Sequence, residues 1–361
     1  MHKPDSELIV DKKNIGSNYP AYFIADIAAN HDGDLSRAKD LIWKAKEAGA
    51  DAAKFQHFKA ETIVSDFGFR TLGNQKSHQS SWKKSVFEVY KEASVNLAWT
   101  QELKNTCDQA EITFFTSPYA FDVVDEIDEY VPAYKIGSGD ITWTEIIDYI
   151  AKKGKPYILA TGASTMEDVV RAVEVGLMVN PKLALLQCNT NYTGSVENMK
   201  HIQLNVLRVY RKMFPDMVLG LSDHTPGHAT VLGAIALGGK IIEKHFTDDV
   251  SRTGPDHAFS MDPQSWREMI LRSRELEASL GSGIKKIEEN EKETVVLQRR
   301  AIRVNRVLKK GHLISRGDLE ILRPCPSTAI PANKICEVIG KRLLTDMAKG
   351  DFLRPNSLID E

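Results

Sequence analysis

Eight short apolar runs divide the chain, at 22–27, 52–55, 112–116, 133–136, 157–160, 183–186, 218–221 and 241–243. Each is followed by a stretch with helical spacing: 35–48, 97–110, 119–130, 142–153, 165–178, 198–213, 228–238 and 264–280. The first stretch sets Leu35, Ala38, Ile42 and Ala45 on one face, with Asp34 placed to cap it and Gly49 to stop it. Strands alternating with helices predict a parallel sheet, and eight repeats predict a closed (β/α)8 TIM barrel. A doubly wound open sheet is the alternative, but no G-x-G-x-x-G follows the first run.

Two stretches break this rhythm. The connection 57–96 is too long for a simple turn and reads as a lid or binding loop. After residue 280 come Gly281-Ser282-Gly283 and a charged run over 285–293, which read as a linker. The remainder alternates Ile and Val with charge and turns at Lys310-Gly311, Arg316-Gly317 and Lys349-Gly350, the pattern of a small β module. The expected division is therefore a catalytic domain at 1–281, a linker at 282–297 and a β-rich domain at 298–361.

Charge and cysteine content exclude several classes. With 47 basic against 49 acidic residues, the chain has no cationic surplus for a polyanion, so nucleic acid is not an expected partner. No apolar run approaches the ~20 residues of a membrane helix, so no membrane partner is expected. The start carries His2, Lys3, Asp5 and Glu7 without an apolar core, unlike a secretory leader. Cys107, Cys188, Cys325 and Cys336 form no C-x-x-C pair and read as reduced thiols of a cytoplasmic protein.

A barrel of this type places its chemistry at the C-terminal strand ends. There stand Asp26, Lys54, Gln56, Lys135, Ser138, Asp140, Thr190, Tyr192, Ser222, His224, Glu243, Lys244 and His245. Lys54, Lys135, Ser138 and Ser222 suit a phosphate or phosphate ester; the plainer alternative pairs the two lysines with barrel carboxylates. His224 and His245, on adjacent strand ends, suit a divalent metal such as Mn²⁺, with water and substrate completing its shell. Asp26, Asp140 and Asp256 are candidates for general base or for accepting sugar hydroxyls.

These residues also carry a resemblance. Phe23-Ile24-Ala25-Asp26-Ile27, Asn30-His31-Asp32-Gly33-Asp34, Lys54-Phe55-Gln56, Lys135-Ile136-Gly137-Ser138-Gly139, Gly220-Leu221-Ser222-Asp223-His224, Glu243-Lys244-His245-Phe246 and Gly254-Pro255-Asp256-His257 are similar, in order and spacing, to the sialic acid synthase family. The tail resembles that family's antifreeze-like (SAF, β-clip) domain. The resemblance implies condensation of phosphoenolpyruvate with N-acetylmannosamine or a related hexosamine, giving a nine-carbon 2-keto sugar acid and phosphate. It implies that Lys54, Lys135, Ser138, Thr190 and Ser222 hold phosphoenolpyruvate, with Asp26, Lys54 and Lys135 catalytic. It further implies that His224 and His245 bind Mn²⁺ or Mg²⁺ and that Gln56, Asp140, Tyr192 and Asp256 meet the sugar. Arg323, in Leu322-Arg323-Pro324, matches the SAF arginine that reaches the partner subunit's sugar site, so a homodimer with swapped C-terminal domains is expected.

The chain departs from the family at four positions. Asp26 stands where Glu is usual, Ala160 replaces a serine before Thr161-Gly162, Thr190 replaces a common Asn, and Asp140 replaces the bacterial Glu. These changes bear on the sugar more than on the reaction type. Competing readings are a Schiff-base aldolase using Lys135 or Lys244, and a degenerate barrel carrying a binding module. Within the synthase reading, the acceptor stays open among N-acetylmannosamine, its 6-phosphate and a diacetamido-trideoxy hexose of the legionaminate or pseudaminate type.

Overall fold

The computed structural model describes residues 2–72, 79 and 82–359, so part of the expected lid at 57–96 lies outside the described residues. Two compact units divide the chain, Met1–Gly281 and Ser282–Glu361.

In the first unit eight strands form one parallel sheet: β3 (Tyr22–Asp26), β4 (Ala52–His57), β5 (Thr113–Pro118), β6 (Tyr134–Ile136), β7 (Tyr157–Ala160), β8 (Leu183–Cys188), β9 (Val218–Asp223) and β10 (Ile241–His245). Their order is β5-β4-β3-β10-β9-β8-β7-β6, and the two end strands β5 and β6 lie against each other, so the sheet curls into a barrel. The helices between strands are α1 (Leu35–Glu47), α5 (Thr100–Gln109), α6 (Phe121–Ile127), α7 (Thr144–Lys152), α8 (Met166–Val179), α9 (Val206–Met213), α10 (Ala229–Ala236) and α11 (Pro263–Leu280). Asp34 caps α1, accepting from the backbone N–H of Ser36 at 2.7 Å and Arg37 at 3.2 Å. The left-handed φ of +94° at Gly49 takes the chain out of that helix.

Two features are absent from the periodicity. A hairpin of β1 (Glu7–Val10) and β2 (Lys13–Gly16) opens the chain, turning at Asp11 with φ +50°. Its Leu8, Val10 and Ile15 are buried against the inward residues Tyr22, Ile24, Ala52, Val218 and Ile241, so the hairpin plugs the barrel's N-terminal end. Two four-residue strands joined at a lysine-bearing turn give too short an alternation to stand out. The second feature is the insert after β4, which carries α2 (Ala60–Ile63), α3 (Asp66–Thr71) and α4 (Val86–Ala93).

The second unit pairs β11 (Ala301–Val304) with β12 (Leu319–Leu322), and β13 (Arg342–Leu343) with β14 (Leu358–Ile359), both antiparallel. A small core of Ile302, Val304, Leu308, Ile314, Leu319, Val338, Leu343 and Leu353 holds it. The stretch expected to be a linker carries the helix α12 (Lys292–Gln298). Among the described residues no helix is long and apolar enough to cross a membrane.

Candidate active site

Side chains alternate across a strand, so every second residue of a barrel strand faces the interior. The lower interior is filled by Tyr22, Ile24, Ala52, Ala133, Ala184, Leu186, Val218 and Ile241. Their neighbours Phe23, Ala53, Tyr134, Leu185, Leu219 and Ile242 pack outward under the helices. Gly220 permits this inner layer, since a Cβ there would stand 2.1 Å from the Ile241 carbonyl oxygen. Continuing the inward parity upward selects Asp26, Lys54, Gln56, Lys135, Cys188, Ser222, His224, Glu243 and His245. The register sets them side by side: Asp26 is level with both Lys54 and His245, and Ser222 with both Glu243 and Cys188.

The result is a buried ionic floor. Lys54 Nζ stands 2.6 Å from Asp26 Oδ2 and 4.0 Å from Glu243 Oε1, and Lys135 Nζ stands 3.3 Å from the same Glu243 oxygen. Ser222 donates to Glu243 Oε1 at 3.2 Å, and Gln56 Nε2 donates to Asp26 Oδ2 at 3.0 Å. Burial pushes the Glu243 carboxyl up, but Lys135 and Lys54 outweigh it and bring it down to about 2. Burial and the Glu243 charge raise Asp26 against the pull of Lys54. Burial also works against the Lys54 ammonium, yet Asp26 and Glu243 hold it above the ordinary lysine value. The lysines do pair with barrel carboxylates, and these pairs form the site itself.

Beside this floor His224 and His245 face each other with ring centroids 5.4 Å apart. His224 Nδ1 lies 2.9 Å from the Asn189 carbonyl oxygen, so it donates there and leaves Nε2 as the acceptor. His245 Nδ1 is buried without a hydrogen-bond partner, and its Nε2 faces Asp26 at 3.7 Å. Burial lowers both imidazoles, to about 4 and about 3, so both are neutral at pH 7, the form that ligates metal. Among the described residues no group of three His, Cys, Asp or Glu side chains is arranged to hold a metal ion by itself. A divalent ion on this pair therefore fits as an open site, with oxygen ligands from substrate and water.

Above the floor a cavity of about 370 Å³ is lined by Gln56, Ser138, Asp140, Tyr192, His245 and Asp256, and by Phe58, Ile63, Gln79, Trp82, Val89, Tyr90 and Ala93 from the insert after β4. The expected sugar residues Gln56, Asp140, Tyr192 and Asp256 are thus brought together. Asp140 closes the short turn Ser138–Asp140 after β6; burial raises it to about 6, with Lys135 offsetting part of the rise. Asp256 Oδ2 accepts from the Ala29 N–H at 3.1 Å, and burial raises it to about 7. Its loop is latched to the one after β3: His257 Nε2 bonds Asp32 Oδ1 at 2.9 Å, and Arg37 grips Asp248 through two nitrogens at 2.8 and 2.5 Å. Gly254 sits so close to this latch that a Cβ would meet His257 Cδ2 at 2.6 Å.

The remaining expected residues fall in three places. Ser138 accepts from the Gly162 N–H at 2.9 Å. A Cβ on Gly162 would collide with Thr190 Cγ2, Ser138 Oγ and Cys188 Sγ, so Ser138 and Thr190 border one pocket. Lys244 has the outward parity: its ammonium is buried beneath the helices, 2.5 Å from Asp223 and 2.6 Å from the Thr225 carbonyl oxygen. It does not enter the barrel. Arg323 lies in the second unit just after β12, donating from Nε to the Gln298 carbonyl oxygen at 2.7 Å. Glu243 is the residue that the reading of strand ends names without assigning it a task, and it gathers both lysines and Ser222. Its place two residues before His245 on one strand carries the signal.

Residues 41–285 match the NeuB family and residues 299–359 the SAF domain. The chain is 34% identical over 346 residues to the N,N'-diacetyllegionaminic acid synthase of Legionella pneumophila, covering 94% of each chain. It is 30% identical over 340 residues to the human N-acetylneuraminate-9-phosphate synthase, covering 94% of this chain and 93% of that one. Among solved structures, an N-acetylneuraminic acid synthetase from Leptospira borgpetersenii superposes with a TM-score of 0.70 at 26% identity, over 82% of this chain and 97% of that one.

Proposed function

The chain belongs to the NeuB family, and from that premise we propose that it condenses phosphoenolpyruvate with an N-acetylated hexosamine to give a nine-carbon 2-keto sugar acid and inorganic phosphate. The observation that carries this reading is the convergence of Lys54, Lys135 and Ser222 on Glu243 beside the paired imidazoles of His224 and His245. Two buried ammonium groups next to hydroxyls suit a small phosphorylated acid, and the adjoining cavity of about 370 Å³ suits a monosaccharide.

In this reading Lys54, Lys135, Ser138, Thr190 and Ser222 hold the phosphate and carboxylate of phosphoenolpyruvate. Gln56, Asp140, Tyr192 and Asp256 orient the open-chain sugar. Mn²⁺ or Mg²⁺ on His224 and His245 would supply Lewis-acid polarisation of the sugar aldehyde. The enol carbon attacks that aldehyde and leaves positive charge at C2. Asp26, 2.6 Å from Lys54 and 3.7 Å from His245, takes a proton from the water that adds there. The resulting tetrahedral centre then expels phosphate. Arg323 of a second copy completes the sugar site in a homodimer with swapped C-terminal domains. The four free cysteines support a cytoplasmic setting.

The test is release of phosphate from phosphoenolpyruvate, which should require both an acceptor sugar and a divalent metal. It should stop with chelator and with His224→Ala, while borohydride with a keto acid should trap no lysine adduct. Full activity after chelation would remove the metal role, and a trapped adduct would restore the aldolase.

A further inference from the structure

The outward faces of β9 and β10 are apolar, with Leu219, Leu221 and Ile242 packed under the helices, until Asp223 and Lys244. There, one residue before each imidazole, the two strands set a carboxylate and an ammonium directly across from each other. Both side chains are buried, and Lys244 Nζ lies 2.5 Å from Asp223 Oδ2. Asp223 Oδ1 accepts from the Thr225 N–H at 3.3 Å, and Oδ2 accepts from the Thr225 and Thr230 hydroxyls at 2.9 and 2.8 Å. Lys244 Nζ also donates to the Thr225 carbonyl oxygen at 2.6 Å. Replacing a buried ion pair by packed apolar side chains is often neutral or stabilising, so stability alone does not account for this pair.

Its place in the sheet does. Asp223 and Lys244 are the last pair of the β9–β10 ladder, and β8 stops pairing with β9 one residue earlier, at Cys188 and Ser222. His245 is still held in register, level with Asp26 of β3, whereas His224 stands beyond the ladders of its strand. The Asn189 carbonyl oxygen orients the His224 ring through Nδ1, but it belongs to the loop after β8 and does not hold the ring to β10. Lys244 does. It binds the side chain of the residue before His224 and the carbonyl of the residue after it, and is itself followed by His245. We infer that Asp223 and Lys244 are positioning residues for the metal pair: their clamp takes the place of the missing ladder pair and sets how far apart the two imidazoles stand, and with it their affinity for a divalent ion. The inference rests on the metal role proposed above. It also gives Lys244 a task outside the barrel, where no substrate reaches it.

The experiment measures Mn²⁺ binding to the full chain without substrates, by the paramagnetic resonance signal of the free ion, alongside urea unfolding. Lys244→Met and Asp223→Asn should each raise the Mn²⁺ Kd at least about tenfold, the range seen when the support behind a metal ligand is lost. Each single variant also leaves a buried group without its partner, so its urea midpoint should fall. The double variant Asp223→Asn/Lys244→Met separates the two effects. It holds no unpaired charge, so its midpoint should return most of the way to wild type, while its Mn²⁺ Kd should stay raised at least about tenfold. If a single variant does not fold, the double variant carries the test. Mn²⁺ affinity that recovers together with stability, or that does not fall in the folded variants, makes the pair a structural element only and overturns the inference while the metal role stands. Wild-type protein that binds no Mn²⁺, or His224→Ala protein that binds it as tightly, overturns the metal role and this inference with it.

Discussion

On the floor of the cavity each carboxylate has a cation close by: Lys54 lies 2.6 Å from Asp26, and Lys135 lies 3.3 Å from Glu243. On the wall, Phe58, Ile63 and Val89 present carbon, and Asp140, in the same cavity, has no cation within 4 Å among the described residues. The two carboxylates titrate in opposite directions as a result, Glu243 held at about 2 and Asp140 raised to about 6. The same burial acts on both. What separates them is the two lysines within 4.0 Å of Glu243, so the floor is built to accept a charged substrate.

The largest effects should come from breaking the floor. Asp26→Asn keeps the shape but removes the base, so kcat should fall roughly 10²–10⁴-fold with phosphoenolpyruvate binding little changed. A fall below about threefold in steady-state kinetics would assign water addition elsewhere. Lys54→Met should lower kcat/KM about 10²–10³-fold, and it also leaves Asp26 buried without its cation. Removing one partner of such a pair costs about 3–5 kcal/mol, so denaturant unfolding should show a matching loss. Adding Asp26→Asn to Lys54→Met should recover part of that stability and none of the activity. If the double variant is no more stable than the single one, the pair is not what holds the floor.

The same contrast explains what could be read from the chain alone. Floor residues stand on strands, where a period of two and a common barrel end place Asp26, Lys54, Lys135, Ser222, His224 and His245 together before any coordinates exist. Glu243 obeys the same parity, and weighing residues by chemical type alone passed over it. Wall residues come from an insert with no strand to set their direction. Nothing in the spacing of Phe58, Ile63 and Val89 says that they share one cavity; that follows from how α2 and α4 pack. The opening hairpin escapes notice for a related reason, since its burial depends on plugging a barrel that its own residues do not specify.

A smaller effect would show whether the wall is complete within one chain. Arg323 spends Nε on the Gln298 carbonyl oxygen at 2.7 Å, and a guanidinium has two further nitrogens for an acyl oxygen. A charge-assisted hydrogen bond of that kind is worth about 1.5–3 kcal/mol. Arg323→Ala should therefore raise the sugar KM about tenfold or more and leave the phosphoenolpyruvate KM nearly unchanged. If the domains swap, mixing Arg323→Ala with His224→Ala protein should give heterodimers with one intact site, and activity should return. Verified heterodimers without recovered activity, or a fully active monomer, would refute the exchange.

The smallest effect concerns Asp140, whose contrast with Glu243 on the floor becomes a difference in sign. Its carboxyl takes up a proton at about pH 6 in the folded protein, against an ordinary value of 3.8. Between those two values the folded state binds more protons than the unfolded state, so this residue's contribution to stability declines as pH rises from about 4 to about 6 and stays lowered above that. An amide cannot ionise, so Asp140→Asn escapes the decline. Urea unfolding should show the variant level with wild type near pH 4 and more stable by about 1–2 kcal/mol at pH 7, after allowance for partial solvent exposure. Glu243→Gln should behave oppositely. Its carboxyl is held at about 2 against an ordinary 4.5, so it adds stability that is present above pH 4.5 and is lost as pH falls toward 2. The glutamine variant should therefore be the less stable protein at pH 7. If Asp140→Asn is also the less stable at pH 7, Asp140 has a cationic partner in solution, and its contrast with Glu243 fails.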